Sequence, residues 1–121
     1  MKALYALALT AALSAGAAYA DCPYPPAPGK LPDGASATME DMVAGQKAVR
    51  AYDDAIKAYV ACIDQELSEA IAKGGDKLKP EQKADMQKVE TQKHNAAIDQ
   101  DQSVADRFNE QVKVFKTRDK K

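Results

Sequence analysis

The sequence has little of the material from which catalytic and metal-binding sites are built. Its 121 residues include one histidine and two cysteines, and no C-x-x-C pair occurs. A metal site needs three or four convergent ligands, and nucleophilic catalysis needs a base within reach of a hydroxyl group. The single histidine, His94, forms no recognised motif with any serine, and glycine-rich phosphate-binding loops are absent. We therefore expect a protein that is not an enzyme and has no metal and no cofactor.

An excess of charge of one sign is also missing. The chain has 17 basic and 18 acidic residues, and the two signs are interleaved along it. A nucleic-acid partner would require a basic surface, so we expect none. Residues 117–121 are basic, and lysine and arginine are favourable at a helix C-terminus because of the helix dipole. We interpret these five residues as a solvated helix end.

No apolar run reaches the length of about 20 residues that crosses a membrane. The run Leu4–Leu13 has the length of a signal-peptide core, follows a lysine, and precedes the small residues of Ala18–Ala20. We expect residues 1–20 to be a cleaved signal peptide, the mature protein to be periplasmic, and no transmembrane segment to remain after cleavage. A lipoprotein is disfavoured because Asp21, not a small residue, precedes Cys22.

The two cysteines, Cys22 and Cys62, predict a disulfide, because export places both in an oxidising compartment. A bond that closes a loop of this length contributes about 4 kcal/mol in the chain-entropy model. Residues 21–37 hold five of the six prolines and would form a disordered tail without it. We expect this Pro-rich segment to be extended, with a turn at Pro32–Gly34, and to be clamped along the first helix.

Two long helices are predicted after the Pro-rich segment, at about 39–73 and about 80–116. Thr38 is a good N-cap with Asp41 at the third helical position, and Pro80 suits the first position of the second helix. Apolar residues recur at helical spacing in both. They are Met42, Val49, Ile56, Ile63 and Ala70 in the first helix, and Ala84, Met86, Val89, Ala97, Ile98, Val104, Ala105, Phe108, Val112 and Phe115 in the second.

These elements predict an all-α fold, an antiparallel two-helix hairpin over residues 38–121. Pairing about a central turn places Tyr52 opposite Asp101 and Tyr59 opposite His94. We interpret the four residues as a polar layer that fixes the register of the seam; the alternative is a site with its own chemistry or a pH switch. One apolar stripe per helix makes a thin core. Tyr24 and Leu31 of the clamped Pro-rich segment could cover part of the exposed side, and a partner chain could cover the rest and complete a four-helix bundle by dimerisation.

Leu78-Lys79-Pro80-Glu81-Gln82 resembles the Leu-Thr-x-x-Gln motif of the periplasmic chaperones and stress sensors related to spheroplast protein Y. Lys79 stands where that motif has threonine, and the chain has one copy where the family usually has two. The resemblance covers five residues. It implies an ATP-independent chaperone that binds unfolded clients.

Most of the mature chain resembles a set of small uncharacterised secreted helical proteins of Gram-negative bacteria. The resemblance implies a helical hairpin and assigns no activity and no functional residues. It lies in the Pro-rich start and in Leu31-Pro32-Asp33-Gly34, Glu40-Asp41-Met42-Val43, Gln46-Lys47-Ala48-Val49, Cys62, Asn95-Ala96-Ala97 and Ala105-Asp106-Arg107-Phe108-Asn109.

The function expected from these observations is a non-enzymatic periplasmic helical protein that acts through protein contacts, with a protein partner or a second copy of itself. The alternative is an ATP-independent periplasmic chaperone or envelope-stress sensor. An exposed apolar face would favour the chaperone, and a closed polar exterior would favour the first interpretation. A small-molecule ligand is left open.

Overall fold

The computed structural model describes residues 22–119. Over this range the chain forms two long α-helices and no strand: α1 spans Met39–Gly74 and α2 spans Pro80–Thr117, joined through a 3-10 turn at Gly75–Lys77. The predicted all-α class is confirmed. The predicted signal peptide and its cleavage site lie outside the described residues.

The start of α1 is fixed by a reciprocal capping box. The Asp41 backbone N–H donates to Thr38 Oγ1 at 3.1 Å, and the Thr38 N–H donates to Asp41 Oδ2 at 2.9 Å. This satisfies two backbone donors that the first turn of a helix leaves free. The hydrogen bonds to Thr38 also hold the pKa of Asp41 below its ordinary value. The predicted N-cap is confirmed.

The link between the helices is short and closely packed. α1 ends where Gly75, at a φ of 47°, donates its N–H to the Ile71 carbonyl, a conformation that favours glycine. Pro80 occupies the first turn of α2, and the Lys79 N–H donates to Gln82 Oε1 at 3.0 Å. The side chain of Leu78 folds back onto Gly74, where an added Cβ would overlap it.

The buried apolar residues form two clusters along the helices. The middle cluster is Tyr52, Ile56, Ala97 and Val104, and the end cluster is Ala37, Met42 and Phe108. Ile63 is also buried, but no residue between Ile63 and Ala97 is. The core therefore thins towards the link, as expected of two helices that share one apolar stripe each.

Contacts between the helices pair early residues of α1 with late residues of α2. Met42 shares a cluster with Phe108, Asp53 is hydrogen-bonded to Asp101, and Asp64 is hydrogen-bonded to Glu90. The two carboxyl pairs lie one residue away from the register that places Tyr52 opposite Asp101. The polar side chains that meet across the seam therefore differ in part from those expected.

The Pro-rich segment is held at Cys22 by the predicted disulfide. Cys22 and Cys62 are bonded, with their Cα atoms 5.7 Å apart. A bend lies at Gly29–Lys30 and a turn at Gly34–Ser36. The turn is closed by the Asp33 carbonyl, which accepts from the N–H of Ser36 and of Ala37, and by Asp33 Oδ1, which accepts from the Ala35 N–H. This is the chemistry of an aspartate-initiated turn.

Candidate functional site

The end of the Pro-rich segment is fastened to the C-terminal end of α2 by a set of contacts that we call the clasp. The Gly34 N–H donates to Gln111 Oε1 at 2.8 Å, and Arg118 Nη1 donates to the carbonyls of Ala37 at 2.6 Å and Gly34 at 3.3 Å. The Arg118 guanidinium also lies 4.4 Å from the centre of the Phe115 ring. The interpretation of the basic end as solvated is therefore wrong for Arg118, because it binds the turn that precedes α1.

We expect Arg118→Gln to destabilise the protein by about 1–2 kcal/mol, because two loop carbonyls lose a charged donor. The loss should appear as a lower Tm in thermal unfolding followed by circular dichroism. Lys113→Gln is the matched control, since the Lys113 side chain forms an exposed ion pair with Glu110 on the same helix, and it should change Tm little. Equal effects of the two substitutions would contradict the role of Arg118 in the clasp.

Three tyrosines meet where the Pro-rich segment crosses α1. The Tyr24 ring lies edge-on to Tyr59, with centroids 5.0 Å apart at an angle of 73°. Tyr52 is buried and is hydrogen-bonded to Tyr24. Burial, this hydrogen bond and the nearby Asp101 raise the pKa of Tyr52 to about 12, so its hydroxyl keeps its proton at any physiological pH. Tyr24 therefore links the segment to two members of the expected polar layer.

The other two members of the expected layer are Asp101 and His94, and both lie between the helices. Asp101 is half-buried, and its charge acts on Tyr52. His94 is half-buried, and its charge acts on Glu90. The structure thus brings Tyr52 and Asp101 into the same neighbourhood, while the pairing of Tyr59 with His94 stays a prediction.

The first carboxyl pair across the seam is Asp53 with Asp101. Burial, followed by the hydrogen bond to Asp53, raises the pKa of Asp101, while the hydrogen bond from Lys57 holds the pKa of Asp53 down. Lys57 Nζ lies 2.6 Å from Asp53 Oδ2. Asp101 Oδ1 is buried and has no donor among the described residues. Because ionised carboxylates only accept, Asp101 carries the proton when the two share one.

The second carboxyl pair is Asp64 with Glu90, nearer to the link. The hydrogen bond between Glu90 and Asp64, followed by burial, raises the pKa of Glu90, and the charge of His94 lowers it. Glu90 Oε1 is buried and, like Asp101 Oδ1, has no donor in the described part of the chain. Two carboxyl pairs therefore place like charges between the helices at neutral pH, which costs stability.

We expect the folded protein to gain stability from these pairs as the pH falls towards 4.5 and 3.8, the ordinary pKa values of Glu90 and Asp101. A raised pKa means that the folded state binds the proton more tightly, so this contribution is full below those values and is lost as the pH rises through the folded pKa. Asp53 and Asp41, whose pKa values are lowered, act in the opposite sense below 3.8.

Asp101→Asn isolates this effect, because the amide supplies Asp53 with a donor at every pH. We expect Tm at pH 7 to rise by about 2–4 °C, since a half-exposed pair of like charges costs about 0.5 kcal/mol. The gain should shrink as the pH falls towards 4. Asp99→Asn, at an exposed position of α2, is the control. A gain at pH 7 that persists unchanged at pH 4 would contradict proton sharing.

An open groove of about 360 Å³ lies between the helices near the link, and we call it the link groove. It is lined by Ile63, Glu66, Leu67 and Ala70 of α1 and by Asp85, Met86, Val89, Glu90 and Lys93 of α2. Val89 is 50% exposed although it belongs to the predicted apolar stripe. The floor is apolar and the rim is charged, so the groove can hold an apolar group with a polar edge.

A second groove, of about 320 Å³, lies at the opposite end of the molecule. Met39 and Val43 of α1 border it and are 63% and 42% exposed. Phe108, Val112 and Phe115 of α2 complete its apolar wall. The protein therefore presents apolar surface at both ends of the helix pair.

The described residues hold no cluster of three or more histidine, cysteine, aspartate or glutamate side chains that could bind a metal ion. Sequence reasoning did not identify Asp53, Asp64 or Glu90 as site residues. Their signal was weak, because a carboxylate on a helix is usually solvated. Gly45, a glycine inside a predicted helix, was a stronger signal of close packing: an added Cβ there would lie 2.7 Å from Pro32 Cγ.

No protein-family model matches the chain, and no curated protein or solved structure matches it. Neither helix in residues 22–119 is both long enough and apolar enough to cross a membrane.

Proposed function

We propose that this is a non-enzymatic periplasmic helical protein that acts through contacts with other proteins. The single observation that carries the proposal is the link groove, an apolar groove between two helices that nothing else in the described chain fills. A cleft with an apolar floor and a few polar groups at its rim is the usual form of a binding site. The disulfide and the predicted signal peptide support the periplasm as the compartment.

The architecture that we propose for this function is an antiparallel hairpin clamped by its own Pro-rich segment. The pairing of Met42 with Phe108, Asp53 with Asp101 and Asp64 with Glu90 supports opposite helix directions. The segment packs Leu31 on the end cluster and Tyr24 on Tyr59. It thus covers the part of the hairpin away from the link and leaves the link groove open.

Site-specific photo-crosslinking tests this function. A benzophenone amino acid at Val89, in the groove, should capture a defined protein in cells that export the chain. The same amino acid at Gln102, which is exposed outside the groove, should not capture it. Absence of any crosslink that is specific to Val89 would contradict the proposal.

The second candidate function is an ATP-independent chaperone or envelope-stress sensor. It is favoured by the exposed Met39 and Val43 in the second groove and by the resemblance of residues 78–82 to a chaperone motif. A chaperone should suppress light scattering by an unrelated reduced and aggregating protein, and Val43→Lys should weaken that suppression. An unchanged rate of aggregation would exclude it.

The exposed apolar residues of α2 also support self-association into a four-helix bundle. Ile98 and Val114 of α2 are 38% and 39% exposed, and burial of such residues is what a second hairpin would gain. Sedimentation equilibrium separates this from a contact with another protein. A concentration-dependent dimer that Ile98→Lys dissociates is the outcome expected of a bundle.

A further inference from the structure

The link groove continues the line along which the Pro-rich segment lies on α1. Tyr24 of the segment contacts Tyr52 and Tyr59, which are seven residues apart. Glu66 follows Tyr59 by seven more residues, nearly two turns, and so lies on the same side of α1. The described part of the segment begins at Cys22, which is bonded to Cys62, and the link groove begins at the next residue of α1, Ile63. The covered and open parts of this side therefore meet at the disulfide.

The floor of the open part is apolar and incompletely buried. Ile63, Leu67 and Ala70 face Met86 and Val89 across the two helices, and only Ile63 is fully buried. In the covered part, Leu31 of the segment packs over the corresponding apolar surface. A third element laid on the link groove would bury side chains there in the same way.

The rim of the link groove carries an excess of negative charge. Glu66, Asp85 and Glu90 line it against a single base, Lys93, and Asp64 lies behind Glu90 as its hydrogen-bond partner. Four carboxyl groups thus surround the apolar floor. The positive end of a ligand would be attracted to this rim, and an anionic ligand would be repelled by it.

Glu90 is the member of this rim that meets another acid across the two helices. Its Oε1 is buried without a donor among the described residues, and its side chain is hydrogen-bonded to Asp64. The charge of His94 reaches Glu90, and Lys93 lies on the same rim, yet neither supplies that donor. A lysine or arginine of a partner, placed on this rim, would offset the negative charge of the two carboxyl groups.

We propose that the link groove is the docking site for a basic amphipathic helix of a partner protein, an inference that rests on the proposed function. The apolar face of that helix would lie on Leu67, Met86 and Val89, and its lysine or arginine side chains would pair with Glu66, Asp85 and Glu90. Docking of a helix into an apolar groove between helices is a common mode of recognition. A second copy is disfavoured as the occupant, because two acidic rims would face each other.

Binding of two synthetic 18-residue helices tests the chemistry of the partner. One has leucine along one face and lysine flanking it, and the other has glutamate in place of every lysine. The oxidised protein beginning at Asp21 should bind the lysine peptide in fluorescence anisotropy and should not bind the glutamate peptide. Equal binding of both peptides, or binding of neither, would overturn the proposal.

Substitutions in the groove locate the binding site. The double variant Glu66→Lys, Asp85→Lys should bind the lysine peptide about tenfold more weakly and should bind the glutamate peptide more tightly than the unchanged protein does. The matched control Asp99→Lys, Asp106→Lys reverses two exposed acids of α2 outside the groove and should change Kd less than about twofold. Val89→Ser should lower the affinity for the lysine peptide, and the variant should still prefer the lysine peptide to the glutamate peptide. If both double variants weakened binding equally, the net charge of the protein and not the link groove would determine the affinity, and this would overturn the proposed site.

The crosslinking and peptide experiments together distinguish a failure of the basic-partner proposal from a failure of the proposed function. A crosslink specific to Val89 in cells, combined with no preference for the lysine peptide, leaves the function in place and overturns the basic partner. No specific crosslink and no peptide binding overturn both. A dimer that Val89→Ser dissociates assigns the groove to a second copy and also overturns the basic partner.

Discussion

Gly34→Ala should destabilise the protein by about 3 kcal/mol, because the added methyl group has no room against α2. Its Cβ would overlap the Gln111 carbonyl oxygen and lie 2.8 Å from the Phe115 nitrogen. Both atoms belong to the helix backbone, which cannot move aside as a flexible side chain can. The turn must therefore lift away, and its hydrogen bonds with Gln111 and Arg118 weaken with it.

The measurement for Gly34 is thermal unfolding followed by circular dichroism, with an expected fall in Tm of about 12–24 °C for a domain of this size. Gly29→Ala is the matched control in the same Pro-rich segment, because an added Cβ there meets nothing within 4 Å. That control should leave stability unchanged or slightly higher, since alanine restricts the unfolded chain. Similar Tm values for the two variants would contradict the close approach of Gly34 to α2.

Gly45 gives an intermediate case on α1. An added Cβ would lie 2.7 Å from Pro32 Cγ and 2.9 Å from Phe108 Cε2, which are the ends of side chains. Alanine also gains about 1 kcal/mol of helix propensity over glycine. The loss for Gly45→Ala should therefore be smaller than for Gly34→Ala.

The helices could be predicted from the sequence because their ends depend on local chemistry. Thr38 with Asp41 and Pro80 are signals read over a few residues, and the structure places the helix starts at those signals. The disulfide could be predicted because the chain has only two cysteines and the Pro-rich segment is long enough to reach. None of these required knowledge of the tertiary contacts.

The packing of the Pro-rich segment onto α2 could not be predicted in the same way. Gly34 looks like an ordinary turn glycine, and Arg118 like an ordinary charged residue at a helix end. Only the approach of two distant parts of the chain shows that they belong to one clasp. The carboxyl pairs could not be predicted for a related reason. A shift of one residue in register makes Asp53, and not Tyr52, the hydrogen-bond partner of Asp101, and hydrophobic spacing does not define the register to within one residue.

Removing the disulfide, by reduction or by Cys22→Ser with Cys62→Ser, should cost about 4 kcal/mol, because the unfolded chain loses a constraint over a loop of this length. Far-UV circular dichroism should change little at low temperature, since neither helix depends on the bond for its caps or its hydrogen bonds. For a domain of this size, that loss of stability corresponds to a fall in Tm of about 16–32 °C. The clasp should hold residues 33–38 in place, so proteolysis should begin between Cys22 and Lys30.

Tyr52 reports whether the released segment leaves α1. Its pKa of about 12 depends on burial and on the hydrogen bond with Tyr24, and Tyr24 is two residues from Cys22. Ultraviolet titration should therefore show the pKa of Tyr52 falling towards its ordinary value of 10.0 in the reduced protein. Tyr24→Phe in the oxidised protein is the control, because it removes the hydrogen bond and keeps the ring. A reduced protein with an unchanged Tm and an unchanged Tyr52 titration would contradict the clamping role of the disulfide, and a covalent dimer on non-reducing electrophoresis would contradict its intramolecular pairing.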